Sequence, residues 1–446
     1  MSTASTSSKK SHTEKLYNTT TTTTTLVTLP PPSPPEAEDG GTRAWLQVVG
    51  SFLVFGNLWG FTFAFGSFQS YYSLIYLPAS SASDISWIGT VSTFLLIMGG
   101  IVSGPLFDLG YFRSMLLVGA VMETLGVFLT SLCGKVYWQL FLTQGVLMGL
   151  GNALLYLPGL ALVGRNFRKN RAVAMGIISC GAPTGGVIYT LIFEQLIERQ
   201  GFANTVRIMG YVMLGSYIVS FPLLLWGVRN LGDIGSGTTR RLIDPSAFRN
   251  VPWWVYSFSN FFLFTGYMVP FFYMPTYGET IIHISRSFAL YVTMIAQASS
   301  IVGRLCASLS ASHIGVMIPW IICGLASGVL SLAWSGCKSV GGFVTFAALY
   351  GAFSGALIPL SPSVFPIVCP DPRVLGTRLG MAQAIGSVAS LIGSPIAGAI
   401  SETGGGEGRN YLGLQLFAGL VMVLGAGNLV FLWVLLIRRS ENGKLI

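Results

Sequence analysis

Twelve apolar stretches follow one another from residue 45 onward: 45–69, 85–107, 114–132, 138–163, 172–195, 208–228, 253–276, 287–311, 315–334, 341–365, 377–400 and 411–436. Each approaches the roughly 20 residues that a helix needs to cross the hydrocarbon core of a bilayer. In lipid every backbone N–H and C=O must be satisfied within the protein, and runs of this length satisfy that demand as helices. Only 9% of the 446 residues are charged, against about a quarter in soluble domains, too few to cover a surface that faces water. The chain is therefore expected to be an all-α membrane protein with twelve transmembrane helices.

Charge places its ends. With the N terminus in the cytoplasm, eighteen of the 25 Lys and Arg residues fall on that side, among them Arg43, Arg113, Arg168, Arg171, Arg240, Arg241 and Arg378. Six fall on the other side, and Arg304 is left inside a span. This positive-inside bias puts both termini in the cytoplasm, and a multi-pass protein of the plasma membrane is expected, with lipid as its surroundings. The net charge of +9 is spread between spans rather than gathered on one face, so no nucleic-acid partner is expected. Residues 1–42 hold an unbroken run from Thr19 to Thr25 and a nearly all-proline run from Pro30 to Pro35. Neither run can bury a core, and the segment reads as a disordered cytoplasmic tail.

The longest polar link between spans, 230–252, divides the chain into a bundle over 43–229 and a second over 253–446. Features recur between the two at a nearly constant offset. Gly110 maps to Gly315 at 205 residues, Gly145 and Gly149 to Gly351 and Gly355 at 206, and Arg171 to Arg378 at 207. Two pseudo-symmetric six-helix bundles with a solute held between them near the midplane form the architecture of one large class of secondary transporters.

The segment Gly104-Pro105-Leu106-Phe107-Asp108-Leu109-Gly110-Tyr111-Phe112-Arg113 resembles the loop signature of the major facilitator superfamily, with Leu109 in place of the usual basic residue. The resemblance implies a contact, made by Asp108 with a helix N-terminus or an arginine, that breaks as the halves rock. Gly104, Asp108 and Arg113 are accordingly gating candidates, beside the plainer reading of a tight turn. The run from Asp39 to Trp45 is similar to the opening of the monocarboxylate transporter family, a branch of that superfamily. Asn166 to Gly176 resembles that family's signature leading into the fifth span, and Pro370 to Met381 the stretch before the eleventh span of fungal members. The chain is thus identified as a member of the fungal branch, with the major facilitator fold. Arg168, Arg171 and Arg378 join the gating candidates, although the cluster around Arg168 also reads simply as an inside-positive loop.

What the resemblance implies is alternating-access transport of a small organic solute, a monocarboxylate-like anion or a secondary metabolite. Export, uptake of a nutrient or vitamin-like solute, and a non-transporting sensor on the same fold all stay open. Arg304 is the leading solute-binding candidate, because a buried arginine at membrane depth is costly unless it meets water, a carboxylate or a ligand; snorkelling to the interface is the alternative. Family members proper carry an aspartate one turn earlier that takes part in proton coupling. Here that position is Ser300, so a coupling proton needs another route.

Asn57, Asn152, Tyr156, Asn260, Gln297 and Gln383 are further polar groups on spans, of a kind that more often ties helices together than holds a ligand. Asn57, Asn152 and Asn260 fall on the first, fourth and seventh spans, which resemble the cavity-lining helices of the superfamily. Glu123 and Glu194 show no obvious partner, and either could titrate with transport. Enzyme chemistry is not expected. The only histidines are His12, His283 and His313, the six cysteines are scattered, and there is no phosphate-cradling GxxxxGK[ST] loop. No catalytic residue, metal, cofactor or ATP is therefore assigned.

Overall fold

A computed structural model describes residues 41–167, 171–226, 243–371, 374–403 and 410–441. Helix α1 runs over Thr42–Tyr71 and continues as a wider π turn, Tyr72–Tyr76. Helix α2 covers Ala82–Met98 and, past Gly99, Gly100–Asp108. Helix α3 is Phe112–Leu132. Helix α4 passes from Tyr137–Leu140 through a π stretch, Phe141–Leu147, into Met148–Asn166. One helical run, Arg171–Leu225, is two helices folded at Gly201 (φ 74°, ψ 172°), giving α5 before it and α6 after it. Then come α7 Val251–Thr280, α8 Arg286–Ile314, α9 Met317–Ala333, α10 Val340–Val368, α11 Leu375–Glu402 and α12 Tyr411–Glu441.

Ten of these segments are long and apolar enough to cross a membrane. The 53-residue one, Val173–Leu225, makes two crossings because of the fold at Gly201. Helix α7 is not among the ten because tyrosines, tryptophans and serines dilute its hydropathy, yet at 30 residues it is long enough to span. The twelve expected crossings are thus present among the described residues. The tail expected over 1–42 lies outside them except for Gly41 and Thr42, and Thr42 already begins α1. Most of the 230–252 loop is likewise outside; its described end forms a 3₁₀ turn, Pro245–Arg249.

Several helices begin at serine caps, whose side-chain oxygens accept otherwise unpaired N–H groups. Ser81 accepts from the Asp84 N–H, Ser285 from Phe288 and Ser339 from Gly342. The signature loop turns at its last glycine. Pro105 lies inside the helix, and the turn is made at Gly110 with φ +87°. Its repeat mate Gly315 has φ +80°; both adopt a backbone that a side chain would strain.

Close packing repeats too. A Cβ on Gly185 of α5 would stand 1.8 Å from the Gly56 oxygen of α1, and one on Gly393 of α11 would stand 2.0 Å from the Thr265 oxygen of α7. A Cβ on Gly149 of α4 would stand 2.9 Å from the Ser92 Cα of α2, and one on Gly355 of α10 would stand 2.0 Å from the Ser300 Oγ of α8. Between these two sets, α5 packs on α8, α2 on α11 and α1 on α7. On α12 the exposed residues Leu412, Leu416, Leu420 and Leu424 recur every fourth position, a stripe suited to lipid.

Candidate functional site

Phe55, Trp59 and Phe63 are spaced four apart on α1 and so share one helical face. Tyr156 of α4 packs against Phe55 and Trp59 with ring centroids 5.8 and 6.2 Å away, and Trp59 stands 6.4 Å from Phe63. Phe63 continues the series across to α7, reaching Tyr267 at 6.4 Å and Phe271 at 5.3 Å. A row of rings therefore joins the two helix sets. Most of it is buried, while Tyr156 and Phe264 at its margin are half-buried.

Arg304 closes this row. Its guanidinium lies 5.9 Å from the Phe63 ring centroid, and the residue is only 1% exposed, so it does not snorkel. Nε donates to Ser300 Oγ at 3.2 Å and Nη1 to the Ser179 carbonyl of α5 at 2.5 Å. That carbonyl is available because Pro183, four residues on, has no N–H to close the helical turn. Nη2 has no hydrogen-bond partner among the described residues. Tyr267 is near enough to interact electrostatically but is not at hydrogen-bonding geometry. The result is a cation with one unused donor, set among aromatic rings. Such a group can grip an acceptor oxygen or an anion in a medium where that bond is strong.

Of the other sequence candidates, Gln297 belongs here. Its Nε2 donates to the Phe63 carbonyl at 3.2 Å, its Oε1 is without a partner, and its amide fills the space that glycine leaves at Gly186. Tyr156 lies in the ring row. Asn152 faces elsewhere, lining a small cavity among α1, α2 and α4 with Thr62, Ser92 and Gln144. Its Oδ1 and the Gln144 Nε2 are buried without partners.

Asn57 and Asn260 are not presented to Arg304. Asn57 accepts from Tyr189 at 2.7 Å and donates to the Met213 carbonyl at 3.4 Å. Asn260 accepts from Ser361 at 2.5 Å and donates to the Tyr256 carbonyl at 3.0 Å. Both tie helices within one set. Gln383 is half-buried on α11. Neither glutamate lacks a partner, contrary to the sequence reading. Tyr217 donates to Glu123, and Glu194 accepts from Tyr291 at 3.2 Å. Both tyrosines come from helices distant in sequence, and Glu194 also accepts from its neighbour Gln195 at 2.5 Å.

Arg378 is an anchor within one set. Its Nε meets Asp244 Oδ2 at 2.7 Å, its Nη2 donates to Ser246 Oγ at 2.8 Å, and its carbonyl accepts from Trp253 at 3.0 Å. The described end of the central loop is thus fastened to α7 and α11. The Ser246 hydroxyl and the Arg378 guanidinium hold the Asp244 carboxyl below the usual carboxylate range. Arg113 is exposed, and a Cβ on Gly104 would meet only Leu157, at 4.0 Å. Arg168 and the side chains of Asp108 and Arg171 lie outside the described residues. Two of the resembling stretches touch, since Trp45 packs edge-on against Phe167 at 5.1 Å.

Sequence reasoning missed a set of contacts at the end that the charge bias assigns to the outside. Ser70 of α1 donates to Glu279 of α7 at 2.5 Å, and Ser83 of α2 donates to the Pro395 carbonyl of α11 at 3.0 Å. The Ala82 N–H bonds Glu402, and Gln195 of α5 donates to Tyr291 of α8 at 3.0 Å. Together they join the two helix sets at that end. Glu279 and Glu402 lie at helix ends, where the only sequence signal is an acid beside a lipid interface.

Comparison with known proteins gives consistent relatives. A family model described as Major Facilitator Superfamily matches residues 47–340. The aspyridones efflux protein apdF of Emericella nidulans is 38% identical over 389 residues, 87% of this chain and 77% of that protein. The agnestins efflux protein AgnL12 of Paecilomyces divaricatus is 35% identical over 409 residues, 91% of this chain and 89% of that protein. The MFS-type transporter pynF of Aspergillus niger is 34% identical over 390 residues, 87% of this chain and 88% of that protein.

Proposed function

This chain belongs to the major facilitator superfamily, and from that premise we propose that it exports a secondary metabolite by alternating access. The solute is largely planar and apolar and bears an acceptor oxygen or carboxylate. As a superfamily member the chain is a secondary transporter of a small organic solute, not an enzyme. The observation that carries the finer reading is Arg304, 1% exposed with Nη2 unpartnered beside the ring row of Trp59, Phe63, Tyr156 and Tyr267. Flat rings stack favourably on such a row. A short hydrophilic monocarboxylate would use the arginine and waste the aromatic surface.

Export is supported by the names of the aspyridones and agnestins relatives. Two bundles, 43–229 and 253–446, rock about the ring row with the 230–252 loop between them. The cytoplasmic termini follow from the charge bias, and placement in the plasma membrane suits export from the cell. Paired metabolite profiles of cells and medium, with and without the chain in the producing strain, test the proposal. An aromatic metabolite should accumulate inside and fall outside when the chain is deleted. Unchanged profiles for every aromatic metabolite would refute it.

A further inference from the structure

Resting on the transport reading, we propose that Glu123, joined through Tyr217, Asn57 and Tyr189 to α6, α1 and α5, is a proton-binding site coupled to the solute site through α1. Glu123 lies near the middle of α3 with none of its surface exposed. Tyr217 donates to its Oε2, and its Oε1 has no partner among the described residues. Helix α4 closes over it, for a Cβ on Gly151 would stand 2.7 Å from the Glu123 nitrogen. Asn57 is a second polar neighbour of the Tyr217 hydroxyl. Tyr189 donates to Asn57 Oδ1 at 2.7 Å. One buried string of polar groups thus binds four helices and ends in an acid.

The titratable groups that face this acid are Tyr217 and Tyr189. Helix α1 carries no charged residue from Ala44 to Tyr76, and α4 none from Tyr137 to Gly164. The other charge on α3 is Arg113 and that on α6 is Arg207. Each is ten residues from Glu123 or Tyr217 respectively, about 15 Å along the axis. The charges of α5 stand at its ends, Arg171 at one and Glu194, Glu198 and Arg199 at the other; those of α2, Asp84 and Asp108, do likewise. An ionised Glu123 would have one phenol donor and no cation, a costly state at membrane depth. Losing the proton therefore requires water to reach the carboxyl. The acid O–H then gives its proton to that water, and the Tyr217 hydroxyl continues to donate to the carboxylate left behind.

Asn57 sits on α1 between Phe55 and Trp59. Opening the string therefore moves the helix that carries the ring row and the Phe63 carbonyl bound by Gln297. Proton and solute would then bias the same element, which is what coupling requires.

The test uses the full chain in lipid nanodiscs with the proton as its own probe. Infrared spectra of the wild type should show a protonated-carboxyl stretch that fades as pH rises and is missing in Glu123→Gln. Tryptophan fluorescence should change over the same pH range in the wild type and not in Glu123→Gln. Tyr217→Phe, which keeps the acid and removes its donor, should move both midpoints up by about one pH unit. Identical spectra and pH profiles in wild type and Glu123→Gln overturn the proposal. So does an unmoved midpoint in Tyr217→Phe, which decides the matter should Glu123→Gln fail to fold. In vesicles, solute flux that ignores an imposed pH gradient overturns the coupling and leaves transport standing. The carboxyl signal in a chain that moves no solute overturns the transport reading instead.

Discussion

Pro183 lacks the N–H that would close a helical turn on Ser179, and the freed carbonyl is the one Arg304 takes at 2.5 Å. The proline thus lowers the cost of burying a cation on a different helix, while Nη2 stays free for a solute. Hydrogen bonds to charged groups are worth about 1.5–3 kcal/mol, so Arg304→Ala should raise the KM for an anionic or acceptor-bearing solute by roughly 10- to 100-fold. Arg304→Lys should recover little, since a lysine keeps the charge and loses the fork that reaches Ser300, Ser179 and the solute together. Flux into reconstituted vesicles measures both, with an unchanged size-exclusion profile showing that the variants fold. Wild-type flux in Arg304→Ala would remove the residue from the site. Arg304 was legible in the sequence because a lone charge inside an apolar run is conspicuous. Its partners were not. Ser179 contributes a backbone atom, and only its spacing of four from Pro183 hinted that the atom was available. Asn57 and Asn260 show the converse: the residue type announced polarity at membrane depth, but the partners that consume it, Tyr189 and Ser361, lie 132 and 101 residues away.

Elements were legible wherever a single periodicity or length rule decides them. The expected span 253–276 lies within α7, Val251–Thr280, since about 20 residues suffice for a crossing. The fold at Gly201 falls in the gap between the expected spans 172–195 and 208–228, whereas the π stretch of α4, Phe141–Leu147, left no comparable mark. Contacts between elements rest on small residues. A Cβ at Gly185 would fall 1.8 Å from the Gly56 oxygen, whereas one at Gly380 of α11 would meet nothing within 4 Å. Overpacking costs about 1–3 kcal/mol, so Gly185→Ala should lower the melting temperature in detergent while Gly380→Ala leaves it level or raises it. Equal melting of the two would mean that α1 and α5 are not held at this distance. The loop anchor has a pH signature. Because the Asp244 carboxyl is held below the usual carboxylate range, its contribution is complete above the unfolded value and is lost as pH falls through the lowered folded value. Limited proteolysis of the central loop should therefore quicken only at acid pH in the wild type. In Asp244→Asn it should be quick at every pH, and a wild-type profile there would show that the Arg378 contact does not fasten the loop.

At the scale of the whole molecule, helix contacts recur six helices apart. The contact of α1 with α5 recurs as α7 with α11, and that of α2 with α4 recurs as α8 with α10. On the proposed function, the bundles 43–229 and 253–446, which meet through α5 on α8 and α2 on α11, rock only if the contacts at one end break while those at the other form. In the present arrangement the end that the charge bias assigns to the outside is joined by Ser70 to Glu279, Ser83 to the Pro395 carbonyl, and Ala82 to Glu402. On the proposed rocking, these pairs part in every cycle. The requirement can be tested with cysteines at Ser70 and Glu279, in a background where the six native cysteines are replaced, bridged by a short reducible thiol cross-linker. Cross-linking should stop solute flux in vesicles, and reduction should restore it. The same reagent on either single cysteine should have little effect, because it leaves α1 and α7 free to separate. If flux persists through a complete cross-link, the outer ends of these helices do not part during transport, and the solute passes by a route other than rocking about the ring row.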